Sequence, residues 1–235
     1  MQVIIAALNE EQGIGHTITE LMHCLCPSKV IVVDGKSSDR TVEVAKNMGA
    51  EIIFQDGNGK GNAIARGIEH LDPAVDYVVV TDADYTYPVE YVPEMIQTLE
   101  DNPRVGMVCG NRFNGNAATR VFRDVFFFGN KLIGLTHHLM NGVRLQDPLT
   151  GLRVIRTKLL RNWQVKSNGF DVEIELNHYV ERMGYTTVEV PIQYRPRLGE
   201  KKLKIFDGAT ILRRILLEAF STRSKHLITE ESFGS

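Results

Sequence analysis

The sequence predicts an α/β domain built on a mostly parallel sheet, and three observations carry that prediction. Short apolar runs alternate with helix-period patterns as far as residue 110. Such alternation calls for βαβ units with right-handed crossovers. The polar clusters Asn9-Glu10-Glu11, Asp34 to Thr41 and Asp82-Ala83-Asp84 all follow strands, so they fall on one strand-end edge, where α/β sheets bind nucleotides and metals. A 235-residue chain that is 43% hydrophobic and 24% charged supports one large core.

Taken in order, Val3 to Ala7 reads as the first strand, followed by a helix from about Glu11. Val30 to Val33 is the second strand, a helix from Ser38 through Met48 follows, and Glu51 to Phe54 is the third strand. Ser38 or Asp39 is expected to cap that second helix. A helix near Asn62 to Leu71 leads to the strand Tyr77 to Val80, and a helix from Pro88 to Glu100 opens on proline. Val105 to Cys109 makes a fifth strand. Beyond it come an amphipathic helix around Arg120 to Asn141, a loop at Gln146 to Gly151, a helix from Asp171 to Met183 and a strand Thr186 to Ile192. The last helix, Asp207 to Phe220, sets Ile211, Leu212, Ile215, Leu216 and Ala219 on one face and gives way to a flexible tail, 221–235.

Several classes are excluded. A net charge of −2 gives no global support for a nucleic-acid partner. Cys24, Cys26 and Cys109 are too few for a disulfide framework, and Cys24-x-Cys26 beside His23 lacks a second ligand pair at zinc spacing. Met1-Gln2 runs straight into a strand with no basic leader, which predicts a cytoplasmic chain. The longest apolar stretch, Val121 to Met140, is broken by Arg123, Asp124, Asn130, Lys131 and two histidines and does not read as a bilayer span.

The chemistry starts at Asp82 and Asp84. Two carboxylates two positions apart at a strand end point the same way, and paired oxygen ligands suit Mg²⁺ or Mn²⁺ better than zinc. Asp34, last on its strand, is placed to accept from a base or a ribose hydroxyl. Gly57-Asn58-Gly59-Lys60-Gly61 before the third helix offers backbone N–H groups to a phosphate, although it is neither a dinucleotide fingerprint nor a Walker loop. Arg112 and Arg153 follow polar turns and have the guanidinium fork that matches phosphate oxygens. Asp147, before Pro148, is read either as a base or acceptor-positioning carboxylate or as a turn residue, and Asp171 and Glu173 in a first helical turn are secondary candidates. Phe122, Val125, Phe126, Phe128, Leu132, Ile133, Leu135 and Leu139 read either as core or as a surface that meets a membrane, and His137 and His138 as structural.

Together these segments resemble a known family. Val3 to Glu11, Val33 to Thr41, Gly59 to Ala63, Asp82-Ala83-Asp84, Gly110-Asn111-Arg112, Asp147 to Arg153, Gly169 to Glu173 and Glu189 to Ile192 are similar in order and spacing to the inverting family 2 glycosyltransferases of GT-A fold. The resemblance spans about residues 3 to 220 and is most specific at Arg195 to Leu203 followed by Asp207-Gly208. Within the family it looks most like dolichyl- or polyprenyl-phosphate sugar synthases, including archaeal enzymes that load a hexose or N-acetylglucosamine. It implies a single domain over 1–220, with 1–110 binding the nucleotide sugar and 111–220 the acceptor.

By that resemblance Asp84 ligates the metal and Asp82 contacts the nucleotide or the metal, while Ala7, Asn9, Glu10, Asp34, Lys60 and Ala83 line the donor pocket. Arg197 and Lys202 clamp the diphosphate as charge grows on the leaving group, and Arg112 and Arg153 hold the acceptor phosphate. The implied donors are UDP-N-acetylglucosamine, UDP-glucose or GDP-mannose, and the implied setting is peripheral, at the cytoplasmic face of a membrane. Ala6-Ala7-Leu8 replaces the family's Pro-x-Tyr, Gly35 replaces a second aspartate, and Thr86 stands where mannosyl relatives carry glutamine, so base and sugar stay open. The alternatives are a family 2 transferase acting on a soluble or glycan acceptor, a sugar-1-phosphate nucleotidyltransferase, which would want a basic glycine-rich loop after the first strand, and a non-catalytic nucleotide-binding module.

Overall fold

A computed structural model describes residues 1–113, 125–202 and 207–232, without the side chains of 125–127 and 221–232. The first five strands lie where the apolar runs put them: β1 (Gln2–Ala7), β2 (Lys29–Asp34), β3 (Glu51–Phe54), β4 (Tyr77–Asp82) and β5 (Val105–Asn111). Between them run α1 (Ile14–Leu25), α2 (Thr41–Asn47), α3 (Gly59–Glu69) and α4 (Val92–Asp101). The strand expected at Thr186 is β7 (Thr186–Pro191), and the long helices are α5 (Val125–Asn141), α7 (Val172–Arg182) and α8 (Asp207–Ser232). The last helix therefore continues well past Phe220.

Two more elements depart from expectation. Arg153–Arg156 forms a strand, β6, followed by the single turn α6 (Thr157–Leu160). Its Arg-Val-Ile-Arg sequence is short and charged at both ends, so its apolar signal is two residues long. The other is the start of α4: Pro88 precedes a short 3₁₀ turn, Val89–Tyr91, and Pro93 occupies the first turn of the helix instead.

The strand order is β3-β2-β1-β4-β6-β5-β7. β6 runs antiparallel to both β4 and β5, and the other pairs are parallel. The order reverses between β1 and β4, where Ala6 pairs with Asp82 while Ala7 pairs with Asp34. Ligands bind at such a switch point because the loops leaving the two strands diverge.

Both faces of the sheet are covered, which explains the unbroken apolar runs. Val3, Ile5, Val30, Val32 and Val79 pack against Ile14, Ile18, Leu21, Met95 and Leu99 of α1 and α4. Ile4, Ile31, Val33, Val78 and Ile155 face Ala63, Ile64, Val172, Leu176 and Val180 of α3 and α7. A third cluster, Ile133, Ile174, Ile211 and Ile215, ties α5 and α8 to α7.

Candidate active site

Three loops at the strand ends each contain a non-glycine residue in the left-handed region: Asn9 after β1 (φ 50°), Lys36 after β2 (φ 67°) and Tyr85 after β4 (φ 64°). Left-handed backbone at Lys36 and Tyr85 is costly, and residues of this kind concentrate at functional sites. Here they bend three loops around one cavity of about 490 Å³. The turn at Tyr85 brings Thr86 back onto Asp84, whose Oδ1 accepts from Thr86 Oγ1 at 2.6 Å and from Thr86 N at 3.2 Å. Helix α1 supports the same turn: Thr17 Oγ1 accepts from Tyr85 N, and a side chain at Gly13 would strike Ala83 O.

Asp82 and Asp84 have different partners. Lys60 Nζ lies 2.6 Å from Asp82 Oδ1 and 2.7 Å from Glu173 Oε1, so the lysine bridges two carboxylates at the cavity wall. Burial opposes charge on Asp82, but Lys60 outweighs it and holds the carboxyl below its ordinary range. Burial followed by repulsion from Asp82 pushes Asp84 the other way. Arg197 Nη1 reaches Asp84 Oδ2 at 2.5 Å, and Arg197 Nη2 donates to Glu10 Oε1. Burial also raises Glu10 to about 7 despite Arg197, and its Oε2 is buried without a hydrogen-bond partner.

The other expected site residues divide into those that reach the cavity and those that do not. Ala7, Glu10, Lys60, Asp82, Ala83, Asp84, Arg112, Arg197 and Lys202 all line it. Asn9 instead laces two loops together, its Oδ1 accepting from Ser38 N while its N–H donates to Ser37 Oγ. Asp34 is fully buried and accepts from Ser37 N and Ser37 Oγ, so its carboxylate fixes the turn after β2 rather than facing the cavity. Asp39 holds the start of α2 by accepting from Thr41 N, although Arg40 occupies the capping position itself.

Arg153 does not reach the cavity. Its guanidinium is buried beneath the 148–150 loop, donating to Pro148 O at 2.8 Å, Thr150 O at 3.0 Å and Asn177 Oδ1. Strand β6 turns it inward, so it supports the loop and is not placed to hold a phosphate. The glycine loop also serves a different purpose. Gly61 N donates to Asn168 O at 2.8 Å, and added Cβ atoms at Gly59 and Gly61 would sit 2.3 and 2.0 Å from backbone oxygens of Asn168 and Ser167. These glycines let α3 approach the 167–169 loop and carry Lys60 into the cavity.

Asp147 is fully buried and its oxygens are engaged. Oδ2 accepts from Arg112 Nε at 2.7 Å and from Arg112 N, and Oδ1 accepts from Arg112 Nη2 at 2.6 Å and Asn130 Nδ2 at 2.7 Å. The backbone N–H of Asp147 is held in turn by Glu189. Arg112 sits 5.3 Å from the ring centroid of Tyr194, another cavity residue. Asp171 pairs with Arg214 of α8, outside the cavity lining.

Several lining residues had no sequence signal. Tyr87 lines the cavity, and its hydroxyl oxygen accepts from Gly151 N at 2.7 Å. Gly151 itself is required: a Cβ there would lie 2.4 Å from Asp82 Oδ2. Leu149, Phe170 and Lys201 lie in segments that matched the family pattern and Ile211 on the apolar face of the last helix, but none was singled out for the site, and Gln55 and Tyr194 carried no signal; only folding brings all six to one cavity.

On α5, Ile133 and His137 point inward while Phe128, Leu132, Leu135 and Leu139 are exposed, and Leu216, Leu217 and Phe220 are exposed on α8. The side chains of Phe122, Val125 and Phe126, with Arg120, Arg123 and Leu203, lie outside the described residues. No helix among the described residues is long and apolar enough to cross a membrane.

Among the described residues no three His, Cys, Asp or Glu side chains are grouped to enclose a metal ion. Asp84 and the uncompensated Glu10 oxygen do fit a hard cation, which would take its remaining oxygen ligands from a bound molecule.

A cavity at the switch point of a mostly parallel sheet, walled by an aspartate pair and by basic side chains from a late segment, is the architecture of an enzyme of GT-A fold. Residues 2–163 match Glycosyl transferase family 2, and the chain belongs to that family. It is an enzyme of the glycosyltransferase class, which sets the nucleotidyltransferase and non-catalytic alternatives aside. It is 34% identical over 222 residues to the dolichyl-phosphate hexose transferase of Haloferax volcanii, covering 93% of this chain and 92% of that one. It is 25% identical to the dolichol-phosphate mannosyltransferase of Pyrococcus furiosus over 90% of this chain and 60% of that one. It is 27% identical to the undecaprenyl-phosphate mannosyltransferase of Micrococcus luteus, over 85% of this chain and 86% of that one. The glucosyl-3-phosphoglycerate synthase of Mycobacterium tuberculosis, solved with Mn²⁺, UDP and phosphoglyceric acid, shares the fold at a TM-score of 0.71 and 23% identity, over 94% of this chain and 77% of that one.

Proposed function

We propose that the chain transfers one sugar from a nucleotide-sugar donor to dolichyl or polyprenyl phosphate, with Mg²⁺ or Mn²⁺ at the donor diphosphate. The observation that carries this reading is the Arg112–Asp147 pair. A hydroxyl acceptor wants a carboxylate base, and the oxygens of Asp147 are taken up by Arg112 and Asn130. A phosphate monoester wants a fixed cation instead, because its second pKa near about 6 leaves it largely ionised at neutral pH. Arg112, held rigidly at the cavity wall, meets that need. The names of the relatives from Haloferax, Pyrococcus and Micrococcus point the same way.

On this reading residues 1–220 act as one catalytic domain. The nucleoside rests against Ala6, Ala7, Leu8 and Gly35, and the lipid end approaches past Leu149, Phe170 and Ile211. Asp84, with Glu10 nearby, would hold the cation, whose chemistry is to neutralise charge on the departing diphosphate. Arg197, Lys201 and Lys202 add positive charge to the same leaving group. Lys60 keeps Asp82 ionised and oriented toward the donor. The acceptor phosphate, aligned by Arg112, attacks the anomeric carbon from the face opposite the diphosphate and inverts it. Exposed leucines and phenylalanines on α5 and α8 would rest on the membrane surface that supplies the lipid, at its cytoplasmic face.

The test is a panel of UDP-N-acetylglucosamine, UDP-glucose and GDP-mannose offered with dolichyl and undecaprenyl phosphate, with and without Mn²⁺. One donor is expected to give a metal-dependent glycolipid. No transfer to either lipid phosphate from any donor overturns the acceptor assignment.

A further inference from the structure

We propose that Glu10 and Asp84 form one cation seat, filled by Arg197 in the donor-free protein and by a divalent cation once a diphosphate draws Arg197 away. The proposal makes Glu10 a metal ligand and rests on the glycosyltransferase reading only for the identity of the diphosphate. Two terminal nitrogens of one guanidinium hold oxygens from two different loops, Asp84 Oδ2 and Glu10 Oε1, so both carboxylates converge on one point. Glu10 is 6% exposed and Asp84 2%. Buried carboxylates facing one another stay ionised only with a cation between them; otherwise one takes up a proton.

Arg197 fills the seat incompletely. Glu10 Oε2 and Arg197 Nε are both buried without hydrogen-bond partners. A spare carboxylate oxygen beside a second carboxylate is a donor set for a hard divalent ion, with diphosphate oxygens completing the shell. Only the side chain of Arg197 has to move, because its backbone is pinned on both sides by Arg195 N on Thr86 O and Leu198 N on Asp84 O, and Lys201 and Lys202 of the same segment line the cavity. A diphosphate entering between these cations attracts Arg197 and exposes Glu10 and Asp84 to an incoming metal. Metal and diphosphate therefore bind with positive coupling, because the diphosphate draws Arg197 off the two carboxylates and the metal, by replacing it there, releases Arg197 to the diphosphate.

The experiment measures Mn²⁺ binding without nucleotide, by electron paramagnetic resonance of the free ion, in the wild type, Arg197→Gln, Arg197→Lys and Arg197→Gln/Glu10→Gln, with thermal unfolding as the folding control. Arg197→Gln is expected to bind Mn²⁺ about tenfold more tightly than wild type, a coupling of ordinary size. Arg197→Lys should keep the wild-type weakness, and the added Glu10→Gln should abolish the gain. An unchanged affinity in Arg197→Gln, or a gain that survives Glu10→Gln, overturns the proposal. Should the variants not fold, wild-type crystals soaked with Mn²⁺ and inorganic pyrophosphate decide it. An anomalous peak bonded to both Glu10 and Asp84, with Arg197 turned to the pyrophosphate, is expected; a peak on Asp84 with Arg197 still on Glu10 overturns it. Neither readout uses sugar transfer, so failure of the seat and failure of the lipid-phosphate assignment are seen separately.

Discussion

Asp82 and Asp84 stand two positions apart, yet one is neutralised by a lysine and the other is crowded by its neighbour's charge. Asp84→Asn is expected to lower turnover by about 10²–10³-fold and to remove the response to Mn²⁺, the size seen when one group stabilising a transition-state charge is lost. Steady-state assays across Mn²⁺ concentration check it, and a variant that keeps its metal response refutes it. Asp147→Asn probes a different residue class, a positioning carboxylate. With its grip on Arg112 weakened, KM for the lipid phosphate should rise about tenfold while calorimetric donor affinity stays within about twofold. Asp84 was legible as a cavity residue because it follows directly on the end of β4 at the strand-end edge, although it sits in the bend beyond the strand and is oriented by the turn at Tyr85. Arg153 was not, because β6 carries too little apolar signal to reveal that its first residue faces the interior.

At the scale of elements, the parallel strands were readable because burial on both faces leaves uninterrupted apolar runs. The glycine-rich opening of α3 was readable as a site of close approach but not as to what approaches. It is the backbone of 167–169, far away in sequence. Gly61→Ala would drive a methyl into Ser167 O and is expected to cost at least about 2 kcal/mol, the range of overpacking a tight contact. Gly129→Ala in α5, where an added Cβ meets nothing within 4 Å, should be neutral or stabilising by up to about 1 kcal/mol. Urea denaturation of the two variants side by side gives the comparison, and equal midpoints would refute the packing role assigned to Gly61.

The whole molecule is closed by α5 and α8 docking on α7, and that contact buries His137 completely. Burial, then the neighbouring His178 and Arg153, depress His137 to about 3 from an ordinary 6.5. The sign follows from linkage: below 6.5 the unfolded chain takes up a proton that the folded one refuses, so stability is present above 6.5 and is lost as pH falls towards 3. Between pH 7 and 5 this histidine should cost about 2 kcal/mol of stability. His137→Asn should flatten that slope in urea titrations at the two pH values, and an unchanged slope would remove His137 from the account.

By itself the sequence determined the class of fold, the strand-end edge that carries the chemistry and the family to which the chain belongs. These follow from patterns local in the chain: apolar periodicity, loop composition, and short motifs in a fixed order. Only the tertiary structure decided that Arg153 and Asp34 face inward, that Asp147 serves Arg112, and that Glu10 and Asp84 share one arginine 113 positions beyond the latter. Each of those is a matter of which charges meet after folding, and electrostatic partnership depends on distance in space, which chain order does not encode.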